Sequence, residues 1–244
     1  MSKRIVIIPT YNEIENIERV VRNVFAQDVN FDILIVDDSS PDGTAHKIKD
    51  LQKKYKDALN LIVRETKDGL GKAYITGFKW ALEHDYDYIF EMDADYSHNP
   101  NDLIRLYNAC SKKNADLSIG SRYVKGVNVI NWPMNRVLMS WMASKYVRLI
   151  TQMPIFDTTA GFVCYRRKVL EDINLEKIKF VGYAFQIEMK FKAYQLGFKL
   201  KEIPIIFTDR TKGKSKMDKR IIWEAVFGVI KLKIKSLFFK RRFN

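Results

Sequence analysis

The sequence is poor in the residues that build covalent or metal-centred frameworks. Two cysteines, Cys110 and Cys164, sit in unlike contexts within 244 residues. They offer no disulfide framework and no zinc spacing, so a reduced, cytoplasmic chain is the expectation. The three histidines, His46, His84 and His98, show no metal-ligand spacing, and no Ser-His-Asp or Cys-His arrangement stands out. Long apolar runs are missing too. The run at 5–8 stops at Pro9, too early for a signal peptide. No stretch reaches the roughly 18 uncharged apolar residues that span a bilayer. No internal repeat or low-complexity linker interrupts the chain.

What is present is an ordinary soluble composition, 47% hydrophobic and 29% charged, enough for one sizeable core with a small appendage. The net charge of +13 is unevenly placed. Residues 210–244 hold twelve Lys and Arg against two Asp and Glu, which leaves 1–209 close to balance. Such a tail seeks phosphate, whether on nucleic acid, a nucleotide or an anionic lipid.

The first half alternates apolar runs with helical periodicity. Strands are expected at 5–8, 33–36, 59–63, 88–92 and 117–119. Helices are expected at 13–27, 45–55, 73–82 and 100–106, the last opened by Pro100. This βαβα rhythm implies a mostly parallel sheet covered on both faces, with ligands beyond the carboxyl ends of the strands. The second half suggests helices at 135–150, 185–196 and 221–239, and a strand at 200–207 that Pro204 confines to an edge.

The chemistry-bearing residues cluster where those strands end. Asp93-Ala94-Asp95 follows the fourth strand, and residues two apart at a strand end point the same way. Paired carboxylates repel unless a cation neutralises them, and hard oxygens suit Mg²⁺ or Mn²⁺. A pair of capping acids is the plain alternative. Asp37-Asp38-Ser-Ser-Pro-Asp-Gly-Thr44 holds a turn signal and more acids than a turn needs; the surplus suits a base or ribose. Gly69-Leu-Gly71-Lys72 opens a helix without P-loop spacing, and offers an anion at most a weak site. The basic loop 210–216 could neutralise a departing diphosphate, or be a solvated loop.

Together these motifs resemble glycosyltransferase family 2, and within it the polyprenyl-phosphate (dolichol-phosphate) mannosyltransferases. The likeness rests on Pro9-Thr-Tyr-Asn-Glu13, Asp37-Asp38-x-Ser-Pro-Asp-Gly-Thr44, Gly69-Leu-Gly71, Met92-Asp-Ala-Asp-x-Ser-His98, Gly120-Ser-Arg-Tyr123, Phe185-Gln-Ile-Glu-Met189 and Arg210-x-x-Gly-x-Ser-Lys216. Each is weak alone; their order and spacing are specific. The resemblance implies a GT-A fold, α/β with a Rossmann-like nucleotide-sugar site, over 1–217. A basic amphipathic helix at 218–244 would then associate with a membrane. It also implies that Pro9, Tyr11, Glu13, Val36 and Asp38 hold the nucleotide. Asp93 and Ala94 would touch the donor, with Asp95 and Asp93 at an Mg²⁺ or Mn²⁺ ion. Arg210 and Lys216 would clamp the diphosphate, and Arg122, Arg136 and Ser140 would receive the acceptor phosphate. Asp93, Asp95 and Arg122 are the expected catalytic set. The sequence departs from the family pattern at Thr159-Ala160-Gly161-Phe162-Val163. Val163 stands where an Arg is usual, and Arg166 is the nearest replacement.

The implied reaction transfers mannose from GDP-mannose to a polyprenyl phosphate at the inner face of a membrane, with inversion. A phosphate acceptor is already anionic and needs no strong base. Two other enzyme readings stand beside it: UDP-glucose as donor, or a saccharide hydroxyl acceptor activated by Glu188. A nucleic-acid-binding module fits the tail but not the body, which shows no basic, aromatic face.

Overall fold

The computed structural model describes residues 2–182 and 184–209, and helix backbone over 219–239 with side chains over 227–237. The chain runs β1 (Arg4–Thr10), α1 (Ile17–Phe25), β2 (Asp32–Asp37), α2 (Thr44–Tyr55), β3 (Leu59–Val63), α3 (Leu70–Glu83), β4 (Tyr88–Glu91), α4 (Asp102–Ser111) and β5 (Leu117–Ser121). It continues with β6 (Val129–Ile130), α5 (Met134–Thr151), β7 (Val163–Arg166), α6 (Arg167–Asp172), α7 (Ala184–Gln195), β8 (Leu200–Pro204), β9 (Phe207–Thr208) and α8 (Lys219–Phe239).

Seven strands form one sheet in the order β3-β2-β1-β4-β7-β5-β8. Every neighbouring pair is parallel except those made by β7, which runs against both β4 and β5. Alternation along each strand sends side chains to opposite faces. Ile5, Ile7, Leu34 and Val36 pack on one face with Tyr74 and Phe78 of α3 and Phe185 of α7. Val6, Ile8, Ile33 and Ile35 pack on the other with Val20 and Val21 of α1, Ile48 of α2 and Leu103 of α4. The mostly parallel, two-faced sheet expected from the sequence is therefore present, and β8 with its Pro204 lies at the edge.

Several boundaries differ, each for a physical reason. Helix α1 starts at Ile17, four residues later than its periodicity suggests, because the preceding amides are spent elsewhere. Asn12, Glu13 and Ile14 donate their backbone N–H groups to Ser40 Oγ, Thr44 Oγ1 and Asp42 Oδ2. Strand β7 carries no alternating pattern. It is a short run buried on both faces, and so gives no periodic signal. The expected strand at 200–207 breaks at 205–206, and its last residues pair with β6 in a separate parallel ribbon. Cys110 and Cys164, apparently unrelated in sequence, are both buried, with Cys110 Sγ 3.7 Å from the Cys164 carbonyl.

Candidate active site

The carboxyl ends of β1, β2, β3 and β4 open on the same edge of the sheet, since Thr10 pairs with Asp37 and Asp37 with Val63. The loops after β1, β2 and β4 each hold one non-glycine residue in the left-handed region: Asn12, Ser39 and Tyr96. That conformation costs free energy, and it also occurs away from these loops at Lys56, Asp85, Asn114, Asn131 and Gln152.

The two acids after β2 have separate roles. Asp37 is fully buried and accepts from Thr10 Oγ1 at 2.7 Å and from Ser40 N and Oγ at 2.9 and 2.6 Å. It locks the β1 and β2 loops together. Asp38 lies nearer the surface, 3.4 Å from Arg64 Nη1. Burial pushes its carboxyl above the ordinary carboxylate value, against the opposing pull of Arg64. Beside it Lys67 stands 3.7 Å over the Tyr11 ring. Arg64 and Lys67 lie in the loop after β3, for which no motif gave warning. Pro9, Tyr11, Glu13 and Asp38 thus converge at one end of the site. Val36 pairs with Pro9 in the sheet beneath them, and its side chain is 0% exposed.

After β4, Asp95 Oδ1 accepts from Ser97 N at 3.1 Å and Ser97 Oγ at 2.6 Å. Asp93 Oδ1 is 3.5 Å from the Tyr74 hydroxyl, and Asp93 N donates to His98 Nδ1 at 3.1 Å. Burial holds His98 down at about 4, so its imidazole is neutral with Nδ1 as acceptor. Stacked on Phe162 with ring centroids 4.7 Å apart, it supports the acidic loop. Ala94 is buried between the two acids. Among the described residues no group of three His, Cys, Asp or Glu forms a metal cage. Two hard carboxylates with places left for phosphate oxygens and water are a donor set that fits Mg²⁺ or Mn²⁺.

On the far side, Arg122 is buried and its guanidinium is already engaged. Its Nε and Nη2 donate to Asp157 at 2.7 and 2.6 Å, and Nη2 also to Thr159 Oγ1 at 2.8 Å. The fork expected to clasp an acceptor phosphate is thus occupied by Asp157. Arg136 is more open. Its Nη1 lies 2.9 Å from both Asp209 oxygens, and its guanidinium stacks 4.1 Å from the Trp132 ring. Ser140 follows one helical turn later on α5. Arg210 and Lys216 lie outside the described residues.

Other expectations are redirected. Gly71 leaves no room for an anion: its N–H donates to the Val181 carbonyl at 2.7 Å, and an added Cβ would sit 2.8 Å from the Phe180 carbonyl. Glu188 is buried and accepts from the amides of Lys179 and Phe180 at 2.9 and 3.1 Å, so it is committed to a loop and not posed as a base. Arg166 cannot replace the arginine lost at Val163. It pairs in register with Tyr88, at the opposite end of the sheet, and donates to the Cys110 carbonyl.

A parallel α/β sheet with acidic loops at its carboxyl edge is the architecture of nucleotide-sugar enzymes with the GT-A fold. Solved structures of that fold resemble this chain. One is glucosyl-3-phosphoglycerate synthase from Mycobacterium tuberculosis in complex with Mn²⁺, uridine diphosphate and glucosyl-3-phosphoglycerate. Its TM-score is 0.68 at 14% identity, over 96% of this chain and 80% of that one. Another is a mannosyltransferase from Pyrobaculum calidifontis in complex with GDP-Man and Mn²⁺. Its TM-score is 0.60 at 17% identity, over 100% of this chain and 76% of that one. By sequence the chain is 44% identical to an undecaprenyl-phosphate mannosyltransferase from Micrococcus luteus, over 91% of this chain and 90% of the relative. It is 45% identical to a polyprenol monophosphomannose synthase from Mycolicibacterium smegmatis, over 93% and 86%. The chain belongs to glycosyl transferase family 2, whose family model matches residues 5–174.

Proposed function

We propose that this protein transfers mannose from GDP-mannose to a polyprenyl monophosphate, inverting the anomeric centre. The observation that carries the reading is the 44% and 45% identity, over nine-tenths of the chain, to two enzymes named for joining mannose to a polyprenyl phosphate. The site supports it. His98 is neutral and its Nδ1 already accepts a hydrogen bond, and Glu188 faces a loop. Neither is posed to activate a hydroxyl, and a phosphate needs no such activation. That counts against a saccharide acceptor.

In this reading Tyr11, Glu13, Asp38, Arg64 and Lys67 cradle the nucleotide, and Asp93 orients the sugar. Asp93 and Asp95 hold Mg²⁺ or Mn²⁺, which when bound neutralises the leaving diphosphate. Arg210 and Lys216 add positive charge there, and Arg136 and Ser140 receive the acceptor phosphate. Arg122, fixed by Asp157, contributes charge and shape to that end without a free fork. Catalysis is then mainly positioning and charge stabilisation.

In the same reading the enzyme works as a peripheral protein at the inner face of a membrane, and its lipid acceptor supports the membrane part of that reading. Among the described residues no helix is long and apolar enough to cross one. Residues 1–217 carry the chemistry and 218–244 supply part of the membrane contact.

The test is purified protein with a short polyprenyl phosphate, Mn²⁺ and a panel of nucleotide-sugars. Transfer from GDP-mannose, abolished by EDTA and restored by Mn²⁺ or Mg²⁺, is expected. Faster transfer from UDP-glucose would overturn the donor assignment; transfer to a sugar hydroxyl in preference to the lipid phosphate would overturn the acceptor.

A further inference from the structure

Helix α7 carries two polar side chains into the core. Gln186 and Lys190 lie one turn apart, both buried, and Lys190 is 0% exposed. Every proton of the Lys190 ammonium has an acceptor. Nζ donates to the Gln186 carbonyl at 3.1 Å, to Gln186 Oε1 at 3.2 Å and to the Ala160 carbonyl at 2.5 Å. The Gln186 amide in turn donates to Glu91 Oε2 at 2.5 Å, and the Tyr165 hydroxyl to Glu91 Oε1 at 3.1 Å. Glu91 is the last residue of β4, two before Asp93.

Stability alone is a poor reason for this array. Desolvating a lysine and a glutamate costs several kcal/mol per ion, and apolar side chains of similar volume usually serve a core equally well or better. What the array does is join two backbone segments. One is the end of β4, which leads into the acidic loop. The other is the segment 157–162, whose ends grip different parts of the site. At its start Asp157 and Thr159 hold Arg122, and the Asp157 amide is fixed by Glu202 at 2.8 Å. At its end Phe162 stacks on His98, which accepts the Asp93 amide. Ala160 lies between, and Lys190 holds its carbonyl. Backbone connecting two functional groups needs an anchor, and a lysine reaching through the core supplies one without opening the site to water.

We propose that Lys190 is a positioning residue. Through the Ala160 carbonyl on one side and Gln186–Glu91 on the other, it sets the placement of Arg122 relative to the Asp93 and Asp95 carboxylates. The inference rests on the transferase reading above, and its effect belongs to turnover and not to nucleotide binding. Tyr11, Asp38 and Arg64 lie on the loops after β1, β2 and β3, none of which the array touches.

Removing Lys190 alone would leave Glu91 buried without its cation, so the informative variant is the double substitution K190M/E91Q. It discharges the core and keeps volume and shape. Wild-type transfer from GDP-mannose is measured first, and tests the reading itself. The double variant is then compared with it for kcat, GDP affinity by calorimetry, and melting temperature. Expected are a melting temperature equal to or above wild type, GDP affinity within about twofold, and kcat lower by about 10- to 100-fold, the scale of a small misplacement of reacting groups. A folded double variant that retains wild-type kcat would overturn the proposal and make the array core filling. Parallel loss of GDP affinity and kcat would also overturn it, since that reports general disruption of the site.

Discussion

Asp157 shows how strongly one side chain is held by its partner. Burial pushes its carboxyl up, but the Arg122 guanidinium pulls it further down by charge and hydrogen bonds, leaving it below the ordinary carboxylate value. A depressed folded-state pKa adds stability above the unfolded value of about 3.9, and that stability is lost as pH falls through the folded value. Asp157→Asn would leave Arg122 buried without a counter-charge, at a cost of roughly 3–5 kcal/mol at pH 7. Denaturant midpoints of wild type and variant should therefore differ widely at pH 7 and converge as pH falls below the carboxylate range. A constant gap down to pH 3 would show that the pair's charge contributes nothing. At this scale the sequence was partly legible. Asp93, Asp95, Tyr11 and Asp38 were recognisable because motif spacing at strand ends brings them to one edge. Arg64, Lys67, Asp157 and Lys190 were not, because each is defined by a partner distant in sequence. Lys190 left no trace in the sequence: a lysine in a helix ordinarily faces solvent, and only the packing around α7 buries it.

Helix α3 illustrates an element whose start is decided by contact. By sequence its glycines offered an anion at most a weak site, and Gly71 lies against the backbone of 180–181 and the Phe185 ring. Gly69, with φ of +102°, makes the turn into the helix. Gly71→Ala forces a methyl into that contact and should cost about 1–3 kcal/mol, as overpacking does. Its thermal midpoint should fall while GDP affinity in the folded protein stays unchanged. A specific loss of GDP affinity with normal stability would return the loop to anion binding. Strand β7 makes the same point for the sheet. Its Val-Cys-Tyr run before Arg166 carries no periodicity, and only its fit between β4 and β5 gives it a direction.

At the scale of the whole molecule, nine of the seventeen exposed large apolar side chains among the described residues lie on two packed helices. On α5, Met134 and Leu149 are each 78% exposed, and Leu138, Met139 and Met142 are exposed beside them. On α8, which packs against α5 and α7, Phe227, Ile234 and Leu237 are exposed while Val229 is buried in the core. The side chains of Trp223 and Ile222 lie outside the described residues. Lys233 turns inward, unlike the exposed Lys231 and Lys235: its ammonium is 3.5 Å from the Thr151 carbonyl at the end of α5, where a helix terminus favours positive charge. Deleting α8 would thus uncover core, so substitutions are the better probe of docking. Changing Phe227, Ile234 and Leu237 to Ser together should weaken binding to anionic vesicles and preserve GDP affinity. Lys231→Ser with Lys235→Ser should cost about 1 kcal/mol per charge and reduce the salt sensitivity of binding. Unchanged vesicle binding in both variants would assign docking to α5 or the final residues.

The sequence by itself determined the βαβα alternation, the two-faced parallel sheet, and the gathering of acids where strands end. These follow from local periodicity and from the geometry of strand termini, which neighbouring residues carry. Only the tertiary structure decided that β7 runs antiparallel and that Asp157 occupies the Arg122 fork. It also turned Glu188 towards a loop and joined Glu91 to Ala160 through Gln186 and Lys190. Those outcomes depend on which distant side chain meets a buried charge or an unpaired carbonyl. That pairing is settled by desolvation and packing once the chain has closed.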